Sequence, residues 1–460
     1  MSAPSKGERL LLVLTPAVAM TAVAVGLRVG ARSEVRAAVV YGAPAAAGAR
    51  QLAWQVVVFD EDQGAREPVA GLPVSAAARA GDATFEWHGA TNADGVAEML
   101  LALSGKDGLE LEVRSGARVL ARGDSRRPPE LARGGPQSGW LRFARRDGTI
   151  ALDVAALGQR VAPGYPAELW VRATDAATHA PLRDVAVALE SDTSLKIAPS
   201  APGSGRTDSR GWVRIVATPV GLAVTMTLRA KSSDGRSGDW IGGLFMSPGA
   251  PSIEVAPRTA PGAPIALALS MPTTRNTAYL EIDDASGRAW AATPPLTAGS
   301  DGLPTAHVQA PGLAPGLYWA VAAAGPGSAA HLGAGTLARP FFVASSDEAA
   351  LSLGTDPTAC VPSRDPRETA SAVSSCLALS AIVPVPRWVA LDGFAMQRAL
   401  AHEARQKGLA VALGALAIAV VLEATLLLRA AAGGRGRTVA IAVLVGLLGF
   451  ALLAAFIVRV

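Results

Sequence analysis

The chain has 460 residues, half of them hydrophobic but only 5% aromatic, and a formal net charge of +4. That length allows roughly three domains of ordinary size, and 48 Gly with 32 Pro suit a folded, turn-rich chain and exclude a disordered one. The positive excess is mostly Arg scattered along the chain, a solvated mixed-charge surface, so no nucleic-acid partner is expected.

Lys6 and Arg9 precede an apolar run from Leu10 to Val29, the pattern of a secretory signal. The run also reaches the length of the shortest spanning helices, and residues 1–29 are read as a retained signal anchor rather than a cleaved peptide. From residue 50 to 345, short β-branched or aromatic runs alternate with Gly, Pro and Asp turns, which predicts an all-β region. Gln51–Phe59, Glu168–Ala173, Trp212–Ala217 and Leu317–Ala322 are examples. A weak repeat runs through them. LPV at 72–74 precedes TNADGVAEMLL at 91–101, and PLRDVAVAL at 181–189 precedes TDSRGWVRIV at 207–216. SDGLPTAHV at 300–308 keeps only the back half. Each copy is a strand, a turn whose Gly supplies a positive φ, and an alternating strand. Turn-rich stretches at Ser125–Gln137 and Ser247–Ser252 divide modules 30–135, 136–250 and 251–345.

Pro163-Gly164, Pro181-Leu182, Val185, Val187, Thr207, Asp208 and Gly211 form a pattern that resembles the macroglobulin-type and bacterial Ig-like β-sandwich modules. Pro261-Gly262 and Gly316-Leu317-Tyr318 repeat parts of it. The resemblance covers residues 50–345 and implies tandem sandwiches that act as spacers, scaffolds or binding surfaces. Complete macroglobulins carry a Cys-Gly-Glu-Gln thioester, whereas here Cys360 is followed by VPS and Cys376 by LAL. Protease trapping is therefore not implied.

Residues 346–385 have little strand pattern and are expected to form an irregular membrane-proximal neck. Cys360 and Cys376 fall within it. An even pair in an exported segment suits one disulfide closing a short loop, and the spacing disfavours the alternative of a reactive thiol pair. In 386–407, Trp388, Leu391 and Phe394 recur at helical spacing, which predicts a juxtamembrane helix with Trp388 and Phe394 at the membrane interface. That helix is expected to continue to residue 428 as a second crossing, and 438–460 reads as a third. Arg429, Arg435 and Arg437 place the 429–437 loop in the cytoplasm. Glu423 lies inside the second apolar run, either paired near the cytoplasmic end or touching another membrane subunit. The expected architecture is thus mainly β, with three transmembrane helices in a bacterial inner membrane and the bulk of the chain periplasmic.

The five His, at 88, 179, 307, 331 and 402, are scattered, and no nucleophile or phosphate-loop motif is present. FDEDQG at 59–64 and Asp283-Asp284 read as turns before they read as cation sites. No metal, cofactor or enzymatic activity is expected. Trp54, Trp87, Trp170, Trp212, Trp240, Trp290 and Trp319 read mainly as core fillers, with one or two left open as a glycan-stacking surface. The leading expectation is a scaffold or interaction subunit that contacts the lipid bilayer and docks an envelope or membrane protein. The alternatives are a tethered binder of cell-wall or glycan material and an accessory subunit of a transport or secretion system.

Overall fold

The computed structural model describes Thr21 and residues 35–46, 51–62, 64–102, 109–125, 139–190, 194–198, 202–272, 275–299, 302–325, 335–363, 365–380, 385 and 387–431. Among these, the strands form three two-sheet sandwiches. In the first, Trp388–Asp392, Val35–Gly42, Leu52–Asp62 and Ala65–Pro68 lie in that order, with Val96–Leu101 also paired to Leu52–Asp62. Its second sheet runs Ala83–Ala90, Pro73–Ala80, Leu109–Ser115, Arg118–Ser125. The second sandwich joins Ile150–Ala156, Ala167–Asp175, Trp212–Pro219, Leu195–Lys196 to Ser204–Arg206, Ala186–Glu190, Thr225–Lys231, Ser237–Gly243, Phe143–Gly148. The third joins Ser252–Val255, Ile265–Ser270, Pro304–Ala310, Thr297–Ala298 to Arg258–Thr259, Thr336–Val343, Gly316–Ala323, Tyr279–Asp283, Arg288–Ala292.

The strands form where side chains alternate. In Pro73–Ala80, Val74, Ala76, Ala78 and Ala80 point inward, and Leu109, Leu111 and Val113 face them from the neighbouring strand. Each sandwich has its own apolar core, and Trp54, Trp240 and Trp170 are almost fully buried.

The sequence repeat is a structural one in the first two sandwiches. Thr91 Oγ1 donates to Val69 O at 2.6 Å and accepts from Leu72 N at 2.9 Å; Thr207 Oγ1 donates to Leu182 O at 2.6 Å and accepts from Val185 N at 3.0 Å. Asn92 Oδ1 caps the turn from Asp94 N and Val96 N, as Asp208 Oδ1 does from Arg210 N and Trp212 N. Gly95 (φ 72) and Gly211 (φ 81) close the two turns in the left-handed region. A Cβ on Gly95 would stand 2.6 Å from Val58 O, and one on Gly211 2.5 Å from Ala173 O. Only glycine meets both demands.

Residues 346–385 are not an irregular neck. They contain helices α1 (Asp347–Ser352) and α2 (Pro366–Leu379), and a Cys360–Cys376 disulfide ties the segment between them to α2. The expected juxtamembrane helix is also corrected. Trp388–Asp392 is a strand, because it pairs beside Val35–Gly42 as an edge of the first sandwich and buries Trp388, Ala390 and Leu391 in its core, and helix α3 (Gly393–Ala431) begins only after it. Asp392 caps that helix, accepting from Phe394 N at 2.9 Å.

The reading of a multi-pass bacterial inner-membrane protein is overturned: among the described residues no helix is long and apolar enough to cross a membrane. The expected second crossing is the C-terminal part of α3, whose N-terminal part carries Arg398, Glu403, Arg405 and Lys407. Apart from Thr21, the other two expected crossings, and Arg435 and Arg437, lie outside the described residues, as do the side chains of Glu423 and Arg429.

The chain divides into two compact units, one of Ala38–Val58 with Pro68–Leu391 and the other of Met1–Ala37, Phe59–Glu67 and Asp392–Val460. In the smaller unit Glu61 accepts from Arg398 and Arg66, which hold its carboxyl below the usual carboxylate range, and Arg36 pairs with Asp60. These carboxylates of the 59–64 stretch are thus paired with arginines.

Candidate functional site

Two shut junctions and an open groove are formed by the described residues of the larger unit. At the first junction, the first and third sandwiches meet across charged side chains removed from water. Arg288 and Glu281 are each 1% exposed and form an ion pair. Arg387, from the segment leading into the returning edge strand, pairs with the same Glu281 carboxylate. Arg288 Nη1 also donates to Ala53 O at 2.8 Å and lies 3.6 Å from Glu98. Gln55 ties the layers together, donating to Glu98 at 2.6 Å and accepting from Arg387 at 2.9 Å. Burial lowers the pKa of both arginines, that of Arg387 to about 10, with Glu98 opposing the shift. Main-chain bonds between Arg288 and Pro44 and Ala46 close the seam.

Beside this cluster Asp283 is buried at 4% exposure, and its Oδ1 has no hydrogen-bond partner among the described residues. Desolvation pushes its carboxyl up to about 7; Arg288 works against that shift and Asp284 with it. Asp284 is the turn residue the sequence suggested, accepting from Ser286 N and Gly287 N. At the same junction the turn of the first sandwich supplies Asn92 and Asp94 to Tyr279, whose hydroxyl donates to Asp94 at 2.8 Å.

The second junction joins the second and third sandwiches through α1 and α2. One side of this pair packs Leu351, Val373 and Leu377 against Phe342 of the third sandwich. The other side packs Ala359, Ala378 and Leu379 against Trp170 and Trp212 of the second. Trp140 stacks on Trp212 with centroids 5.7 Å apart. Here again the repeated turn is the contact point: Ser209 Oγ donates to Glu368 at 2.5 Å and Arg210 Nη1 to Ala359 O at 3.2 Å. Burying indoles of this size contributes on the order of several kcal/mol.

Between the same two sandwiches lies a groove of about 370 Å³. One wall is the outer face of the second sandwich, where Arg214 donates to Glu168 at 2.8 Å and that bond raises the Arg214 pKa. The other wall is the edge strand Ser252–Val255, and Ser374 and Leu377 of α2 close one side. At the groove lies Arg339, whose Nη1 donates to Leu157 O at 2.9 Å. Burial lowers its pKa against the pull of Glu168 and Glu254, and it makes no ion pair among the described residues.

Of the residues singled out from sequence, Cys360 and Cys376 are joined in the second junction. Trp388 and Phe394 are not at a membrane interface. Trp388 is 8% exposed in the core of the first sandwich, edge-on to Trp54 at 6.0 Å. Phe394 is fully buried against Phe59, with the Arg66 guanidinium 4.0 Å above its ring. Sequence reasoning missed Arg288, Glu281, Arg387, Glu98 and Arg339. The one available signal was YLEID at 279–283, a strand with two acids at every other position, all five of whose residues are buried.

No family model matches the chain, and no curated protein matches it. Among solved structures, the native Escherichia coli alpha-2-macroglobulin is 11% identical over 73% of this chain and 23% of its own, with a TM-score of 0.19. Invasin, a bacterial integrin-binding protein, is 14% identical over 67% and 60%, at 0.17. The Yersinia pseudotuberculosis adhesin InvE is 16% identical over 59% and 77%, at 0.18. The chain thus spans about a quarter of the macroglobulin and about three fifths of invasin, and the scores are too low to carry an activity across.

Proposed function

We propose that this chain is a non-enzymatic interaction module, in which three β-sandwiches are locked together to present a fixed surface to a protein partner. The supporting observation is the filling of both junctions with buried side chains. Modules that serve only as a flexible string meet through small, polar contacts. Here one seam holds Arg288, Glu281 and Arg387 away from water, and the other holds two indoles under a disulfide-closed helical pair. Burying charge is costly and contributes little net stability, but it specifies one arrangement of the groups that share it. A surface assembled from several sandwiches needs that fixity.

The test is affinity purification of the tagged full-length chain beside an Arg387→Met variant that opens the first junction. A protein recovered stoichiometrically with the wild type and lost from the variant is the expected result, with circular dichroism showing that the sandwiches remain folded. Equal recovery from both, or no stoichiometric protein with either, would overturn the reading.

A further inference from the structure

The geometry points to the groove beside Arg339 as a docking site for an extended peptide segment that carries a carboxylate, a proposal that rests on the interaction reading above and names its site. Three observations carry it. The first is the lining: Ser252, Ile253, Glu254 and Val255 are consecutive, and consecutive strand residues point to opposite faces. The groove therefore follows the edge of that strand. Among the described residues this strand pairs only with Ile265–Ser270, on its other side. Its outer edge offers main-chain donors and acceptors to an added strand. A second hollow, of about 380 Å³, runs from Glu254 and Val255 across Ile265–Ser270 to His307, over the sheet face and not along this edge.

The second observation is the charge. Arg339 is partly buried and desolvated, and among the described residues it donates to a main-chain carbonyl and pairs with no carboxylate. Its neighbour Glu168 is already committed to Arg214. A guanidinium in that state binds a carboxylate strongly, because the cost of taking the cation out of water has been met in folding. The third is the remaining wall. Pro166, Val216, Pro257, Pro340 and Leu377 are apolar and suit small hydrophobic side chains on either side of the acid. Glu254 stands exposed at the rim and favours a Lys or Arg elsewhere on the same segment.

The experiment uses the purified full-length chain to select from short random peptides displayed on phage, with Arg339→Met and Ser374→Phe selected in parallel. Ser374→Phe fills the groove from α2 without touching the guanidinium, so a folding defect in one variant leaves the other informative; thermal melting reports on both. The wild type is expected to enrich peptides with an Asp or Glu at one fixed position between apolar residues, and both variants to lose that enrichment. A synthetic peptide from the selection should bind about tenfold or more weakly when its acid becomes the amide, the effect of one charge-assisted bond unmade. Enrichment without an acid, or acid-bearing peptides equally enriched by Arg339→Met, overturns the proposal. Glutarate alone binding as tightly as the peptide would mark a small-acid site and overturn the edge-strand part. Stoichiometric recovery of the protein partner by Arg339→Met would leave the interaction reading standing and remove this groove from it.

Discussion

Asp283 should make the third sandwich less stable as pH rises through the physiological range, and Asp283→Asn should abolish that dependence. In the folded chain its carboxyl is pushed up to about 7 by burial, against an ordinary value of 3.8. Between those values the folded state keeps a proton that the unfolded chain has released. Stability from this group is therefore fully present below about pH 4, falls as pH rises, and levels off above about pH 7. The shift corresponds to about 4 kcal/mol at 1.36 kcal/mol per unit. Asn has nearly the same shape and does not titrate, so it adds only a pH-independent offset for its two N–H donors. Because the three sandwiches need not unfold together, the measurement is the melting temperature of the transition that the variant shifts, taken from pH 4.5 to 8. The gap between variant and wild type should open by on the order of 10 °C across that range in the variant's favour. Parallel profiles would refute the reasoning, since they would mean that Asp283 is ionised in the folded state as it is in the unfolded one.

Removing one member of the buried charge cluster should cost more than removing the cluster. Arg288→Met leaves Glu281 with half its counter-charge and should destabilise by about 3–5 kcal/mol, whereas a triple variant with Glu281→Leu and Arg387→Met should cost less, both read by chemical denaturation. Replacing Cys360 and Cys376 by Ser opens a loop of sequence separation 16 and should cost about 3 kcal/mol, with proteolysis starting in α1–α2 before any sandwich is cut. Gly95→Ala and Gly211→Ala should each lower the melting temperature of their own sandwich, because each adds a Cβ against a carbonyl oxygen and a left-handed φ at a non-glycine residue. A control at Gly235, also left-handed but with open space around it, should cost less than either.

The sequence by itself determined what is local. Alternating apolar residues made the strands, because a half-buried sheet face imposes a period of two. Thr-Asn/Asp-x-x-Gly spacing made the paired turns at 91–95 and 207–211, because the Thr and Asn or Asp side chains satisfy the turn while Gly takes its φ. Two cysteines were enough to suggest a disulfide, though not its setting between two sandwiches. The tertiary structure decided what depends on distant partners. Trp388, Leu391 and Phe394 fit a helical period, yet Trp388 and Leu391 belong to an edge strand, because the first sandwich has an open place beside Val35–Gly42 that the local pattern does not reveal. The Ala- and Ser-rich segment of α2 shows little apolar contrast, and it is ordered as a clamp only where Trp170, Trp212 and Phe342 converge on it. Arg288, Glu281 and Arg387 come from strands and a segment up to about a hundred residues apart, and an isolated charge in a strand reads as surface until a counter-charge from elsewhere is folded against it. Periodicity records which face of an element is buried; it carries no record of what that face is buried against.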